Sequence, residues 1–202
     1  MKLTISEQYV QTLFQSRYGV FLSKIDEAGG SKGRTPDFEL IQANKRVFVC
    51  ELKDFPDVEP SEKDGWAITY HSDDMVEASK ASNAPNRISK HIDVAYDQLS
   101  KYSEPKVLIF LNRSGMDYRD LEETYRGYSI IEYGSIRIKN TYAKRASEGK
   151  IRDIKSKIDL YIWIDYSAWI TDLQDVNVTF LFVSEDGCRI ATEYFGITID
   201  VA

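Results

Sequence analysis

An α/β fold, with a central mixed β-sheet flanked by helices and additional strands toward the C-terminus, is what this sequence predicts. Three observations carry the prediction. The run Arg-Val-Phe-Val-Cys-Glu-Leu-Lys, residues 46–53, puts Val47 and Val49 on one face and Phe48, Cys50 and Leu52 on the other. A strand apolar on both faces lies inside a sheet covered on both sides. Such runs alternate with amphipathic helical patterns, above all residues 86–102, where Ile88, Ile92, Ala95, Leu99 and Tyr102 form one stripe. The 202 residues, 43% hydrophobic, suffice for one sizeable core, and no repeat, low-complexity tract or linker divides them, so residues 1–202 read as a single domain.

The elements follow in order. Residues 5–19, ISEQYVQTLFQSRYG, have apolar residues at helical spacing and close on Gly19. VFLSKI (20–25) reads as a first strand and GGSKGRT (29–35) as a flexible loop. DFELIQ (37–42) and RVFVCELK are strands joined by a hairpin-length turn, Gln42 to Arg46. Residues 54–85 form an irregular acidic insertion with Trp66 and Tyr70 as anchors. The amphipathic helix comes next, then KVLIFLN (106–112) as a buried strand after Pro105. DYRDLEETYRGY reads as a helix, SIIEYGSIRI as a strand and the basic stretch beyond it as a helix. DLYIWIDY, NVTFLFV and CRIATEYFGITI are expected as strands, the last two joined by a hairpin at SEDG.

The net charge of −6 is unevenly spread. Residues 137–157 carry eight Lys/Arg against Glu148 and Asp153, while residues 54–85 carry eight acids against Lys63 and Lys80. Only the first segment suits a polyanion, through Lys144, Arg145, Lys150 and Arg152, with Tyr142 as the one aromatic for base stacking; a solvated helix face would look the same. The acidic segment suits a basic protein partner, and the C-terminal strands offer a homodimer surface. No apolar run approaches a membrane span and no signal-peptide pattern opens the chain, so a cytoplasmic protein without membrane contact is expected. Cys50 and Cys188 form no disulfide framework, and Cys50 reads as core. His71 and His91 lack partners at metal-ligand spacing and read as surface or rim residues.

The chemistry gathers at residues 35–55, TPDFELIQANKRVFVCELKDF. Strand residues two apart share a face, so Glu51 and Lys53 point the same way, and an antiparallel pairing across the turn brings Asp37 to the same end. Two converging carboxylates repel unless a cation sits between them, and hard oxygen ligands suit Mg²⁺ or Mn²⁺. The Leu52 carbonyl would add a ligand, and Lys53 would orient a metal-bound water and stabilise charge growing on a phosphate. On the first helix, Leu3, Glu7, Val10, Phe14 and Tyr18 share a stripe, and a core-facing Glu7 is costly unless paired or metal-bound. The alternative is an exposed first-turn glutamate helped by the helix dipole. Gln98 and Tyr102 stand four apart, looking into one cleft, or else packing with Tyr102 in the core and Gln98 at its edge.

Pro36-Asp37 followed by Glu51-x-Lys53 after an apolar strand resembles the PD-(D/E)XK nuclease superfamily, and the element order resembles its restriction-endonuclease-like fold. Gln98-Leu-Ser-Lys-Tyr102 is similar to the QxxxY pattern of the RecB-like branch. The resemblance implies a core over residues 5–112, with the acidic insertion inside it and a C-terminal extension over 113–202. It implies Asp37 and Glu51 as metal ligands, Lys53 as the catalytic lysine, Glu7 as the first-helix acid, and Gln98 and Tyr102 lining the cleft near the phosphate. The expected activity is Mg²⁺-dependent hydrolysis of nucleic acid, by analogy DNA. The alternative is an inactive module of the same fold that binds a protein or nucleic-acid partner.

Overall fold

The computed structural model describes residues 3–25, 35–56, 66–70, 76–80, 84–114, 116–133, 136–141, 151–166 and 172–198. Helix α1 (Ile5–Tyr18) starts at a capping box, in which Thr4 and Glu7 exchange side-chain to backbone hydrogen bonds, and ends at Gly19 with φ of 68°. Short β1 (Ser23–Lys24), β2 (Phe38–Gln42) and long β3 (Lys45–Phe55) follow. After β4 (Trp66–Tyr70) and β5 (Val76–Lys80) come α2 (Ala84–Leu99), β6 (Lys106–Asn112) and α3 (Tyr118–Arg126). Strands β7 (Tyr128–Tyr133), β8 (Ile136–Thr141), β9 (Leu160–Asp165) and β10 (Asn177–Phe182) precede α4 (Glu185–Phe195).

The expected mixed sheet is present. Its six strands run in the order β1-β2-β3-β6-β9-β10, with β3, β6 and β9 parallel and the remaining pairs antiparallel. Alternation along β3 divides the core in two. Phe48, Cys50 and Leu52 pack under α1 and α4, whereas Val49 and Phe55 pack under α2 and α3. That is the two-sided burial its sequence demanded, except that Val47, expected on the Val49 face, packs instead with the Phe48 and Cys50 side, where the β2–β3 register shifts. The parallel strands end level, with Phe55 beside Asn112 and Asn112 beside Asp165, so their carboxyl ends form one rim. Open α/β sheets place ligands at that kind of rim.

Several expected elements take another form. VFLSKI is strand only at Ser23 and Lys24, with the Ile25 N–H donating to the Asp37 carbonyl beyond them, and its start is taken up in closing α1, where the Val20 N–H donates to the Phe14 carbonyl. The acidic insertion is not wholly irregular: Asp54 and Phe55 continue β3, and β4 and β5 pair antiparallel as a separate ladder. SIIEYGSIRI is two paired strands, β7 and β8, split where the sequence has Gly134-Ser135, a two-residue hairpin signal. The basic stretch opens as strand because Ile136 and Ile138 alternate with Arg137 and Lys139, and it closes in a 3₁₀ turn at Lys155–Lys157. SEDG is no hairpin. Ser184 caps α4 by accepting from the Gly187 N–H, and Glu185 and Asp186 fill the acid-favouring first turn. Gly187 is there for room, since a Cβ would lie 1.9 Å from the Asp159 carbonyl oxygen. CRIATEYF is therefore helix, burying Ile190, Ala191 and Phe195 at helical spacing.

The β2–β3 turn and a bulge just beyond it together set the register that brings Asp37 to Glu51: Ile41 pairs with Arg46 but Leu40 with Phe48, so Val47 is an extra residue that moves the partner of Asp37 from Cys50 to Glu51. Gln42 pairs with Lys45 around a two-residue loop, in which Ala43 and Asn44 have φ of 50° and 61°. That is the twist a tight hairpin prefers, but alanine is strained there by about 1 kcal/mol. Ala43→Gly is expected to raise stability by about 1 kcal/mol in thermal melts, and an unchanged or lower melting temperature would show that the loop carries no such strain.

Candidate functional site

Asp37 lies one residue before β2, opposite the stretch of β3 that holds Glu51 and Leu52. The two acids are bound through each other's backbone: the Asp37 N–H donates to Glu51 Oε2 at 3.2 Å, and the Leu52 N–H donates to Asp37 Oδ2 at 2.9 Å. Asp37 thus extends the β2–β3 ladder with its side chain. Leu52 meets the site here through its N–H. Glu51 is 3% exposed, and its Oε1 accepts from Lys53 Nζ at 2.6 Å, the neighbour two residues along on the same face. Lys53 Nζ also donates to Gln98 Oε1 of α2 at 2.9 Å, and Gln98 Nε2 donates to the Thr35 carbonyl at 3.3 Å.

Glu7 reaches the same cluster from the opposite face of the sheet. It is 7% exposed, and Lys24 Nζ bridges it to Asp37 Oδ1, the latter at 3.3 Å. Lys24 was not singled out from the sequence. Its signal was a lone lysine in the apolar run Val20 to Ile25, one strand position from where Asp37 had to fall. The site is a chain of contacts: Glu7, Lys24, Asp37, the β3 backbone, Glu51, Lys53, Gln98.

Burial, then the neighbouring Asp37 charge, push Glu51 up to about 7 against the pull of Lys53. Asp37 is raised by burial too, held back by the Leu52 N–H and by Lys24. For Glu7, burial is outweighed by Lys24 and the Thr4 N–H, so its carboxyl lies below the usual range. Lys24 is raised: burial opposes its charge, but Glu7 and Asp37 outweigh that cost.

Tyr102 is not brought in. The Arg46 guanidinium lies over its ring at 5.2 Å, near the start of β3, whereas Glu51 and Lys53 sit toward that strand's end. His91 is half-buried, edge-on to the Phe55 ring at 4.8 Å, and burial with nearby Lys53, Arg87 and Lys90 lowers it to about 4, so it is neutral at pH 7. Cys50 is fully buried in the core, as expected. Of the basic residues, Arg152 is exposed, while Lys144, Arg145 and Lys150, with Tyr142 and His71, lie outside the described residues. At the end of that segment Lys155 donates to the Tyr125 carbonyl and Lys157 lies over the Tyr96 ring at 5.5 Å, so part of its charge faces α2 and α3.

No family model matches this chain, nor does any curated protein or solved structure. Among the described residues no helix is long and apolar enough to cross a membrane, and no group of three or more His, Cys, Asp or Glu side chains is arranged to hold a metal. A pair is present. Glu51 is buried and Asp37 half-buried, the Asp37 charge raises the cost of ionising Glu51 while Glu7 raises that of Asp37, and both acids offer hard oxygens. A divalent cation would relieve that repulsion, and Mg²⁺ or Mn²⁺ needs only one or two carboxylates when water and phosphate complete its shell. The donor set therefore fits such an ion.

Glu51 makes stability depend on pH. Its folded-state value lies above the ordinary 4.5, so its contribution is full below about 4.5 and is lost as pH rises toward about 7. In metal-free buffer the wild type is expected to lose about 3 kcal/mol through this group across that window, and Glu51→Gln is expected to flatten the loss. Parallel stability–pH curves for the two proteins, from denaturant titrations, would contradict the assignment.

Proposed function

We propose that this protein is a divalent-metal-dependent phosphodiesterase acting on nucleic acid, by analogy DNA, with a restriction-endonuclease-like core. The single observation that carries the reading is the pairing of half-buried Asp37 with buried Glu51, with the Lys53 ammonium bound to Glu51 at 2.6 Å on the same strand face. The helix, three strands, helix and strand that hold this pair follow the order of the PD-(D/E)XK resemblance, and Gln98 of the QxxxY pattern contacts Lys53.

In this reading Asp37 and Glu51 hold the metal, with Glu7 acting on Asp37 through Lys24. The metal, when bound, supplies a water of lowered pKa and neutralises charge on the phosphate and the departing oxygen. The protein's part is positioning. Lys53 Nζ has three donors, of which Glu51 and Gln98 take two, and the third is left for a phosphoryl oxygen whose charge grows in the transition state. The water oxygen forms the new bond to phosphorus, the ester P–O bond breaks, and the water's proton leaves through the carboxylate cluster to solvent.

One observation favours a second reading, a catalytically inactive module that binds a protein or nucleic acid. Glu7, Asp37 and Glu51 each already have a lysine partner, Lys24 for the first two and Lys53 for the third. The two readings part in one assay. Purified protein with Mg²⁺ or Mn²⁺ on plasmid, linear and single-stranded DNA is expected to cleave, and Lys53→Ala to lose at least about 100-fold while remaining folded by circular dichroism. Cleavage at the wild-type rate by Lys53→Ala would defeat the assignment of this site to the activity, and no cleavage by wild type would favour the module.

A further inference from the structure

The level rim of β3, β6 and β9 continues past the carboxylates. Next to Lys53, on the other face of β3, Asp54 accepts from Arg113 Nε at 3.1 Å and also from Nη2, and Ser6 of α1 donates to the same carboxylate. Arg113 follows β6 directly, and its N–H donates to the Phe55 carbonyl at 2.9 Å, so it stands level with the strand ends. Its guanidinium is held as a fork, and Nη1 has no hydrogen-bond partner among the described residues.

One strand farther, the Tyr166 N–H donates to the Asn112 carbonyl at 2.8 Å, extending the β6–β9 ladder by a residue. Its ring meets Tyr9 of α1 at 4.9 Å with the planes at 84°, so the contact uses at most one ring face of Tyr166. Tyr166 is 36% exposed, and Ile5, one turn before Tyr9 on α1, is 83% exposed. Arg113 and Tyr166 thus follow neighbouring strands at the same rim, the one with a tethered guanidinium and the other partly exposed. Two strand spacings, about 10 Å, separate the β3 end from Tyr166. That is about three nucleotides at the rise of a stacked strand.

We infer that the nucleic acid taken at this site is single-stranded, with Arg113 holding a backbone phosphate and Tyr166, propped by Tyr9, stacking an unpaired base. The inference rests on the phosphodiesterase reading. A base inside a duplex has both faces covered by its neighbours, so an aromatic platform rewards only a splayed or unpaired base. Phosphate contacts alone would not distinguish the two forms.

Fluorescence anisotropy tests this with a short labelled oligothymidine and a duplex of equal length, in EDTA so that no metal-dependent cleavage consumes the probe. The wild type is expected to bind the single strand more tightly. Tyr166→Ala is expected to weaken that binding roughly 5- to 150-fold, the worth of one stacked base, with duplex binding unchanged and Tyr166→Phe close to wild type. Equal single-strand affinity for wild type and Tyr166→Ala, or a wild-type preference for duplex, would overturn the inference, as would binding of neither probe. Failure of the two proposals looks different. Tyr166-dependent binding without Mg²⁺-dependent cleavage sinks the enzyme and keeps the strip, whereas Lys53-dependent cleavage indifferent to Tyr166→Ala sinks the strip and keeps the enzyme.

Discussion

Asp37 and the end of β3 hold each other by exchanged hydrogen bonds, the Asp37 N–H to Glu51 and the Leu52 N–H to Asp37, and the rest of the site is arranged around that exchange. Each bond satisfies a carboxylate oxygen with a backbone donor, which lowers the cost of bringing the two acids together. The cost remains visible in Glu51, which burial and Asp37 push up to about 7. Lys53 on one side and Lys24 on the other limit that cost, and each is itself fixed by a second contact, Gln98 for Lys53 and Glu7 for Lys24.

The fold supplies this arrangement through its two faces. Glu51 and Lys53 belong to the Val49 and Phe55 side of β3, under α2, while Glu7 comes from α1 on the Cys50 and Leu52 side. Neither helix could reach both acids across the sheet. Asp37 connects them because it stands just before the start of β2, where the sheet no longer separates the faces. The bulge at Val47, between the Ile41–Arg46 and Leu40–Phe48 pairs, fixes that position, since the register of the Ala43–Asn44 loop alone would set Asp37 opposite Cys50.

The sequence made the centre of this legible and the margins not. Glu51 and Lys53 could be read because period-two alternation is a local property, and Asp37 because a short hairpin ties its register to theirs. Gln98 followed from helical spacing behind the strand. Tyr102, on the same pattern, went to Arg46 instead, because α2 ends at Leu99, short of the expected residue 102, and the chain turns there with the Tyr102 N–H on the Leu99 carbonyl. Lys24 escaped because its partners come from α1 and from the residue before β2, a junction that no local pattern announces. In the C-terminal third, Ser-Glu-Asp-Gly carries both a hairpin signal and a helix cap, and the choice was made by tertiary packing of Gly187 against Asp159.

The central claim is that Asp37 and Glu51 share a site for a hard cation. Crystals soaked in Mn²⁺ and measured for anomalous scattering at the manganese edge test it most directly. The account predicts one peak in contact with oxygens of both Asp37 and Glu51, absent in Glu51→Ala crystals treated alike. No peak there at millimolar metal, with Lys24 and Lys53 still holding both carboxylates, would contradict it.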